Sequence, residues 1–185
     1  MSLTLLIDSV HAELAVALVN DDKSNDSGLV GGSAVFRIFR EQRQHDKNLN
    51  RLVTQLLKQQ KVKFTDIDKY AVVVGPGSWT GCRVGVAAIK GYNAAHPRPI
   101  IALNSLDALG DPSAINSNLD NYYIKRGNKY SCEKLTTAEL SGYSTLDTIT
   151  HEGYRTRLIA MIKKVKPITA KELTPFYITD FQVKT

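Results

Sequence analysis

The run Tyr70-Ala71-Val72-Val73-Val74, followed at once by Gly75-Pro76-Gly77, restricts the fold of this chain more than any other segment. Five β-prone apolar residues without a charge read as a strand covered on both faces, the kind found inside an α/β sheet. Two glycines around a proline then impose a tight turn. Beyond it, Ser78 and Thr80 offer hydroxyls to cap a helix predicted from Cys82 to Ala95, which contains no proline. Gly85 and Gly91 weaken that helix by up to about 1 kcal/mol each. A strand, a turn and a helix N-terminus in this order can present free N–H groups to an anion. The segment matches neither G-x4-G-K-[ST] nor G-x-G-x-x-G, because Thr80 stands at the third glycine position. A purely structural turn and an anion-binding turn both fit these residues.

The second helix is unusual in its surface. On a helical wheel Gly81, Val84, Gly85, Ala88, Gly91, Tyr92 and Ala95 share one broad side, and only Arg83, Lys90 and Asn93 mark a polar strip. A helix so small and apolar must be covered on more than one face, which points to a protein partner. The helix predicted from Asp46 to Lys61 is conventional by comparison: Leu49, Leu52, Val53, Leu56 and Leu57 form an amphipathic stripe.

Around these elements the sequence predicts strands at Leu3–Ile7 and Glu13–Val19, joined as a hairpin through a turn-prone DSVHA link. A polar connection, NDDKSNDSGLVGG, leads to a third strand near Ser33–Phe39. A strand at Pro99–Leu103 and a short helix at Ser105–Leu109 follow, then a turn-rich GDPSAINSN stretch. Strands at Tyr122–Arg126 and Tyr130–Leu135, a helix at Arg155–Val165 and a closing strand at Phe176–Val183 complete the order. Hairpins, crossover helices and strands mixed in this way make an α/β class. We expect one unit of two lobes, 1–110 and 111–185.

With 185 residues, 43% of them hydrophobic, the chain can bury a core without disulfides or a structural metal. Cys82 and Cys132 lie in no C-x-x-C or Cys/His cluster, so both are expected as reduced thiols. No stretch of about 18 apolar residues is present and the N-terminus lacks a basic leader, so the expectation is a cytoplasmic protein with no membrane partner. The formal charge of +6 is uneven. Residues 121–185 hold 11 Lys/Arg against 6 Asp/Glu, and residues 1–120 hold 13 against 12. A basic last third can attract an RNA backbone, although solubilising lysines on a solvated surface are the simpler account of it.

The segment Gly75-Pro76-Gly77-Ser78-Trp79-Thr80-Gly81-Cys82-Arg83-Val84-Gly85 resembles the GPGS[FW]TG-x-R-[IV]-G signature of the TsaB (YeaZ) family. Further similarities follow in order: Asp8 and Ser9 after the first strand, His45 at the start of the first helix, the Leu-x-x-Leu pattern behind it, and Asn104-Ser105-Leu106-Asp107-Ala108-Leu109. Thr174-Pro175-Phe176-Tyr177-Ile178 is similar to the family's closing Pro-x-Tyr. The likeness is dense over 1–110 and thin beyond.

This resemblance implies an actin-like (ASKHA, ribonuclease H-like) fold with a reduced second lobe. It implies a non-catalytic role in forming N6-threonylcarbamoyladenosine at position 37 of tRNAs: a partner that supports the catalytic paralogue TsaD, joined by the ATPase TsaE. The pairing surface would comprise the first two helices, bringing forward His45, Leu49, Leu52, Leu56, Gly81, Val84, Gly85, Ala88 and Tyr92. The same surface would form a homodimer when the chain is alone. RNA would be reached indirectly or through the basic last third.

No catalytic site or metal is expected. The histidines, His11, His45, His96 and His151, are far apart and show no H-x3-H pair, and no H-E-x-x-H or G-x-S-x-G occurs. The rival expectation is a nucleotide-binding ATPase or phosphotransferase of the same fold, with Asp8, Ser9, Gly77, Ser78 and Thr80 as the candidate phosphate-binding residues. Asp8 serves equally well as a turn-forming Asx residue, and His45 as a partly buried hydrogen-bonded one. In the second lobe only Arg126 and Tyr130 remain of the family's pattern, and Thr179 and Asp180 depart from it.

Overall fold

A computed structural model describes residues 2–20, 34–40 and 44–178. The NDDKSNDSGLVGG connection from 21 on, and Thr179 and Asp180 with the rest of the expected closing strand, lie outside these residues.

The three opening strands, β1 (Leu3–Asp8), β2 (Leu14–Asn20) and β3 (Ala34–Phe39), form an antiparallel meander. The apolar run gives β4 (Lys69–Gly75), which lies parallel to β1, and β5 (Ile100–Asn104) lies parallel to β4. The resulting order is β3-β2-β1-β4-β5. Helices α1 (His45–Gln60) and α2 (Trp79–Ala95) connect β3 to β4 and β4 to β5. The five-residue α3 (Ser105–Leu109) follows directly.

The sheet is buried on both faces, as the uninterrupted apolar reading of β4 requires. Leu5, Ile7, Leu14, Val16 and Tyr70 pack with Leu49, Leu52, Leu56, Val86 and Ile89 from α1 and α2. Their alternates Leu6, Ala17, Ala71 and Val73 pack on the other face with Leu106, Leu109, Tyr154, Leu158 and Ile162. The last three belong to α5 (His151–Ile162), which the Thr150 side chain caps by accepting from the Gly153 N–H.

A second, antiparallel sheet holds β6 (Ser113–Asn118), β7 (Asn121–Arg126) and β8 (Lys129–Lys134), with α4 (Thr137–Leu140) beyond it. Its core is small, centred on Ala114, Ile124 and Leu135. The GDPSAINSN stretch, expected as turn, therefore contains a strand. Serine and asparagine carry turn propensity, but pairing with β7 satisfies the backbone and the buried Ser113 hydroxyl donates to the Leu106 carbonyl at 2.9 Å.

After α5 the chain returns to the first sheet. Ile168 pairs with Ile100, Leu173 is fully buried, and the Phe176 N–H donates to the Val74 carbonyl at 2.8 Å. Residues 173–178 form no regular strand. The second half of the chain thus supplies the small sheet and also a back layer and a strap on the first sheet.

Candidate functional site

The glycine-proline turn sits where β4 ends and α2 begins, against the link between β1 and β2. Gly75 has φ +116°, a conformation that L side chains rarely adopt, and a Cβ there would meet the Phe176 carbonyl and the Cys82 sulfur. A methyl on Gly77 would press on Val10, and one on Gly81 would overlap the Ser9 carbonyl. Small residues here let the first turn of α2 lie on the backbone of the β1–β2 link. Two hydrogen bonds hold it there: Ser9 Oγ donates to the Gly81 carbonyl at 2.8 Å, and the Ser78 N–H donates to the Val10 carbonyl at 2.7 Å.

The candidate phosphate-binding residues are accordingly occupied within the chain. Ser9 is fully buried and bonded to α2. Asp8 is buried and accepts from the Val10 N–H at 3.2 Å, the Asx arrangement. Ser78 is the N-cap of α2, accepting from the Gly81 N–H at 3.2 Å. Gly77 is filled by Val10. Thr80 and Ser78 are exposed beside a cleft, Ser78 with its hydroxyl engaged as the cap.

That cleft, about 950 Å³, lies between the first turn of α2 and the second sheet. Its walls include His11, His45, Trp79, Asn116, Tyr122 and Tyr123. Among the described residues its charged lining residues are the carboxylates Asp46 and Asp147, with neither lysine nor arginine. A polyphosphate entering such a cleft would meet the negative charge of Asp46 and Asp147.

A smaller cavity of about 240 Å³ adjoins it, lined by Asp8, Glu13, Tyr154 and Arg155 together with His11 and His151. His11 Nε2 lies 3.0 Å from the Tyr154 hydroxyl, and the two rings meet edge to face at 5.2 Å. Burial holds the His11 pKa below that of an ordinary imidazole, against the opposing Asp8 charge and reinforced by His151. Burial, with Asp8 nearby, raises the Tyr154 phenol well above its usual value. Glu13 gathers Arg155 at 2.6 Å, Arg40 at 3.1 Å and His151 at 3.6 Å. Sequence reading missed Tyr154, Arg155, Tyr122 and Tyr123, because no local pattern ties them to residues 8–13.

The residues advanced for partner pairing divide by burial. Leu49, Leu52 and Leu56 belong to the chain's own core, at 2%, 5% and 0% exposure. Gly81 and Gly85 face inward; a Cβ on Gly85 would lie 2.6 Å from Ser9 Oγ and 3.2 Å from Val72. These five are corrected from surface to core: the apolar stripe that periodicity detects is consumed by the sheet. His45 opens α1 and its ring nitrogens lie 3.2 and 3.1 Å from the Ser9 and Ala12 carbonyls, so it fastens α1 to the β1–β2 link. Val84, Ala88 and Tyr92 are half-buried, and the Tyr92 hydroxyl donates to Asn50 of α1 at 2.5 Å. Ala87, Gly91 and Ala94 are exposed, and a Cβ on Gly91 would meet nothing within 4 Å.

Arg126, singled out in the second lobe, is held bidentately by Glu133 at 2.8 and 3.2 Å and donates to the Tyr143 hydroxyl at 2.6 Å. Tyr130 donates to Asp107 at 2.7 Å. Among the described residues, no group of three or more His, Cys, Asp or Glu is placed to hold a metal, and no helix is long and apolar enough to cross a membrane.

Residues 40–121 match the family model TsaD, tRNA N6-adenosine threonylcarbamoyltransferase. Among curated proteins, the tRNA N6-adenosine threonylcarbamoyltransferase of Dictyoglomus turgidum is 32% identical over 112 residues, covering 57% of this chain and 34% of that protein. The protein of the same name from Paracoccus denitrificans is 33% identical over 114 residues, 57% of this chain and 32% of that one. The chain thus spans about a third of the length of the curated relatives it matches.

Among solved structures, a Pseudomonas aeruginosa protein described as uncharacterized with similarity to peptidase YEAZ superposes with a TM-score of 0.73 at 18% identity, covering 97% of this chain and all of that one. YeaZ from Pseudomonas aeruginosa gives 0.69 at 19% identity, over 96% of this chain and 100% of that one. The fold is the actin-like α/β fold of YeaZ.

Proposed function

We propose that this chain is a non-catalytic partner subunit in the formation of N6-threonylcarbamoyladenosine on tRNA, pairing through α1 and α2 with a TsaD-type transferase. The observation that carries the reading is the outward side of α2. Ala87, Gly91 and Ala94 leave it almost without side chains, and a glycine in an exposed helix interior costs about 1 kcal/mol unless something approaches closely there. No element of the described chain makes that approach; a second helix pair laid across it would. The TsaD-type match over 40–121, which spans both helices, and the whole-chain likeness to YeaZ support the same reading.

A partner role also accounts for the signature turn. Its hydroxyls and glycines join α2 to the β1–β2 link. The turn therefore sets the orientation of the pairing helix. In the complex a TsaE-type ATPase is the third member, and where the TsaD-type protein is absent the isolated chain pairs with itself through the same helices.

The test is size-exclusion chromatography with light scattering on the chain alone and mixed with the TsaD-type protein of the same cell. The expected result is a 1:1 complex, absent for a folded Gly91→Arg variant. A wild-type chain that stays apart from that protein, or a variant that pairs as tightly, would overturn the reading.

A further inference from the structure

We propose that Trp79 is a nucleobase-stacking site through which this subunit contacts single-stranded RNA. The proposal deepens the reading above, from which it takes RNA as the ligand; the site itself rests on the geometry of α2 and the C-terminal strap. Trp79 is 55% exposed, an unusual position for a large aromatic ring. It is nevertheless fixed in place. The Tyr177 ring stacks on it at 4.2 Å, and the Arg83 guanidinium lies over it at 4.3 Å.

Arg83 Nε also donates to the Tyr177 hydroxyl at 3.2 Å. Two groups each about 4 Å from an indole cannot be that close to one another across its thickness. Both therefore lie on the same face, and among the described residues no other ring or cation is placed against the opposite one. A rigid aromatic ring held on one face, with its orientation fixed beforehand, can accept a base on the other with little loss of side-chain entropy.

Trp79 lies between a cleft that carries Asp46 and Asp147 and a cationic flank of α2, and a phosphate backbone would follow that flank. At 3.6 residues per turn, Trp79, Arg83 and Lys90 fall on one flank of α2. Both cations are exposed, and α2 contains no acidic residue. The aromatic row continues through Phe176 to Tyr130, whose rings meet edge to face at 5.3 Å, with the exposed Lys129 beside Tyr130. Interleaved rings and cations are what single-stranded nucleic acid recognition uses. Ala87, on the face proposed for pairing, is eight residues from Trp79, about 80° round α2, so a base on Trp79 and the paired protein take adjacent sides of the helix.

Trp79 is the only tryptophan in the chain, so its fluorescence reports this site alone. Titrating the full chain with a short oligoadenylate, and separately with unmodified tRNA, is expected to give saturable quenching. Salt dependence should be shallow, because few phosphates are neutralised. Anisotropy of the labelled oligonucleotide should show binding roughly tenfold weaker for Trp79→Ala and largely kept by Trp79→Phe. Melting curves establish that both variants are folded.

An absence of quenching at saturating RNA would overturn the proposal. So would binding that is unchanged in Trp79→Ala and falls steeply with salt, which would place the RNA on a lysine surface. Pairing of Trp79→Ala with the TsaD-type protein separates the two readings: the variant is expected to pair normally while losing the RNA contact. Quenching by that protein instead of RNA would make Trp79 a protein contact and end the proposal.

Discussion

The Ser9 hydroxyl donates to the carbonyl of Gly81 at 2.8 Å, joining the end of β1 to the first turn of α2 with both groups buried. This bond sits at the centre of the signature turn, and everything that α2 presents to the outside depends on how closely the helix approaches there.

Removing the space on the helix side should therefore be costly. Gly85→Ala places a Cβ 2.6 Å from Ser9 Oγ, and we expect it to destabilise the chain by about 1–3 kcal/mol. Ser9→Gly removes the obstructing hydroxyl but leaves the Gly81 carbonyl without its donor, about 1–3 kcal/mol by itself. Urea unfolding of both single variants and the double variant should give a combined loss smaller than the sum of the two. A strictly additive cycle would mean that Ser9 and Gly85 do not compete for this space.

Stability and pairing should separate along the two helices. Leu56→Ala opens a cavity in a fully buried site and should cost about 2–5 kcal/mol. Gly91→Ala should raise the stability of the isolated chain by up to about 1 kcal/mol and weaken pairing with a TsaD-type protein. Melting temperatures read beside chromatographic complex formation decide it. If Gly91→Ala leaves pairing intact, close approach at that position is not required.

Cys82 provides a probe of the same turn. Burial first, then the Asp8 charge, push its thiol up to about 11. At pH 8 its thiolate is then about a hundredfold scarcer than that of a free cysteine. Alkylation should be at least that much slower in the native chain than in urea. Fast native labelling of Cys82 would show that α2 lifts readily from the β1–β2 link.

The pH dependence of stability follows from His11. Its folded pKa lies below the 6.5 of an ordinary imidazole, mainly through burial. As pH falls through about 6.5, the unfolded chain takes up a proton that the folded chain refuses, so stability present at pH 7.5 declines toward pH 5.5 and stops declining below the folded pKa. Replacing the ring by asparagine, His11→Asn, removes this contribution and should flatten the curve of urea midpoint against pH. An unchanged slope would place the acid sensitivity elsewhere.

Much of the fold is legible in local patterns. The β4 run, the α1 stripe and the short α3 helix each announce themselves by period and by their flanking turns, because burial selects apolar residues at the spacing of the element that is buried. The start of α2 lies at Trp79 and not at Cys82, since the Ser78 cap that begins it is compatible with either. β6 could not be read from its serines and asparagines, because its strand conformation is supplied by β7 and not by its own residues.

The sequence by itself determined that this chain is an α/β protein with a tight turn between a buried strand and a helix of small residues, since those features follow from backbone sterics and apolar periodicity. Tertiary structure decided what each of those residues faces. Periodicity marks a stripe to be covered without saying by what, and here the sheet covers Leu49, Leu52 and Leu56 while Ala87, Gly91 and Ala94 stay exposed. Tyr177 reaches Trp79, and Tyr154 reaches His11, only because the chain returns to its first lobe after the second sheet. Contacts between residues so distant in sequence depend on the packing of whole elements, which no local pattern encodes.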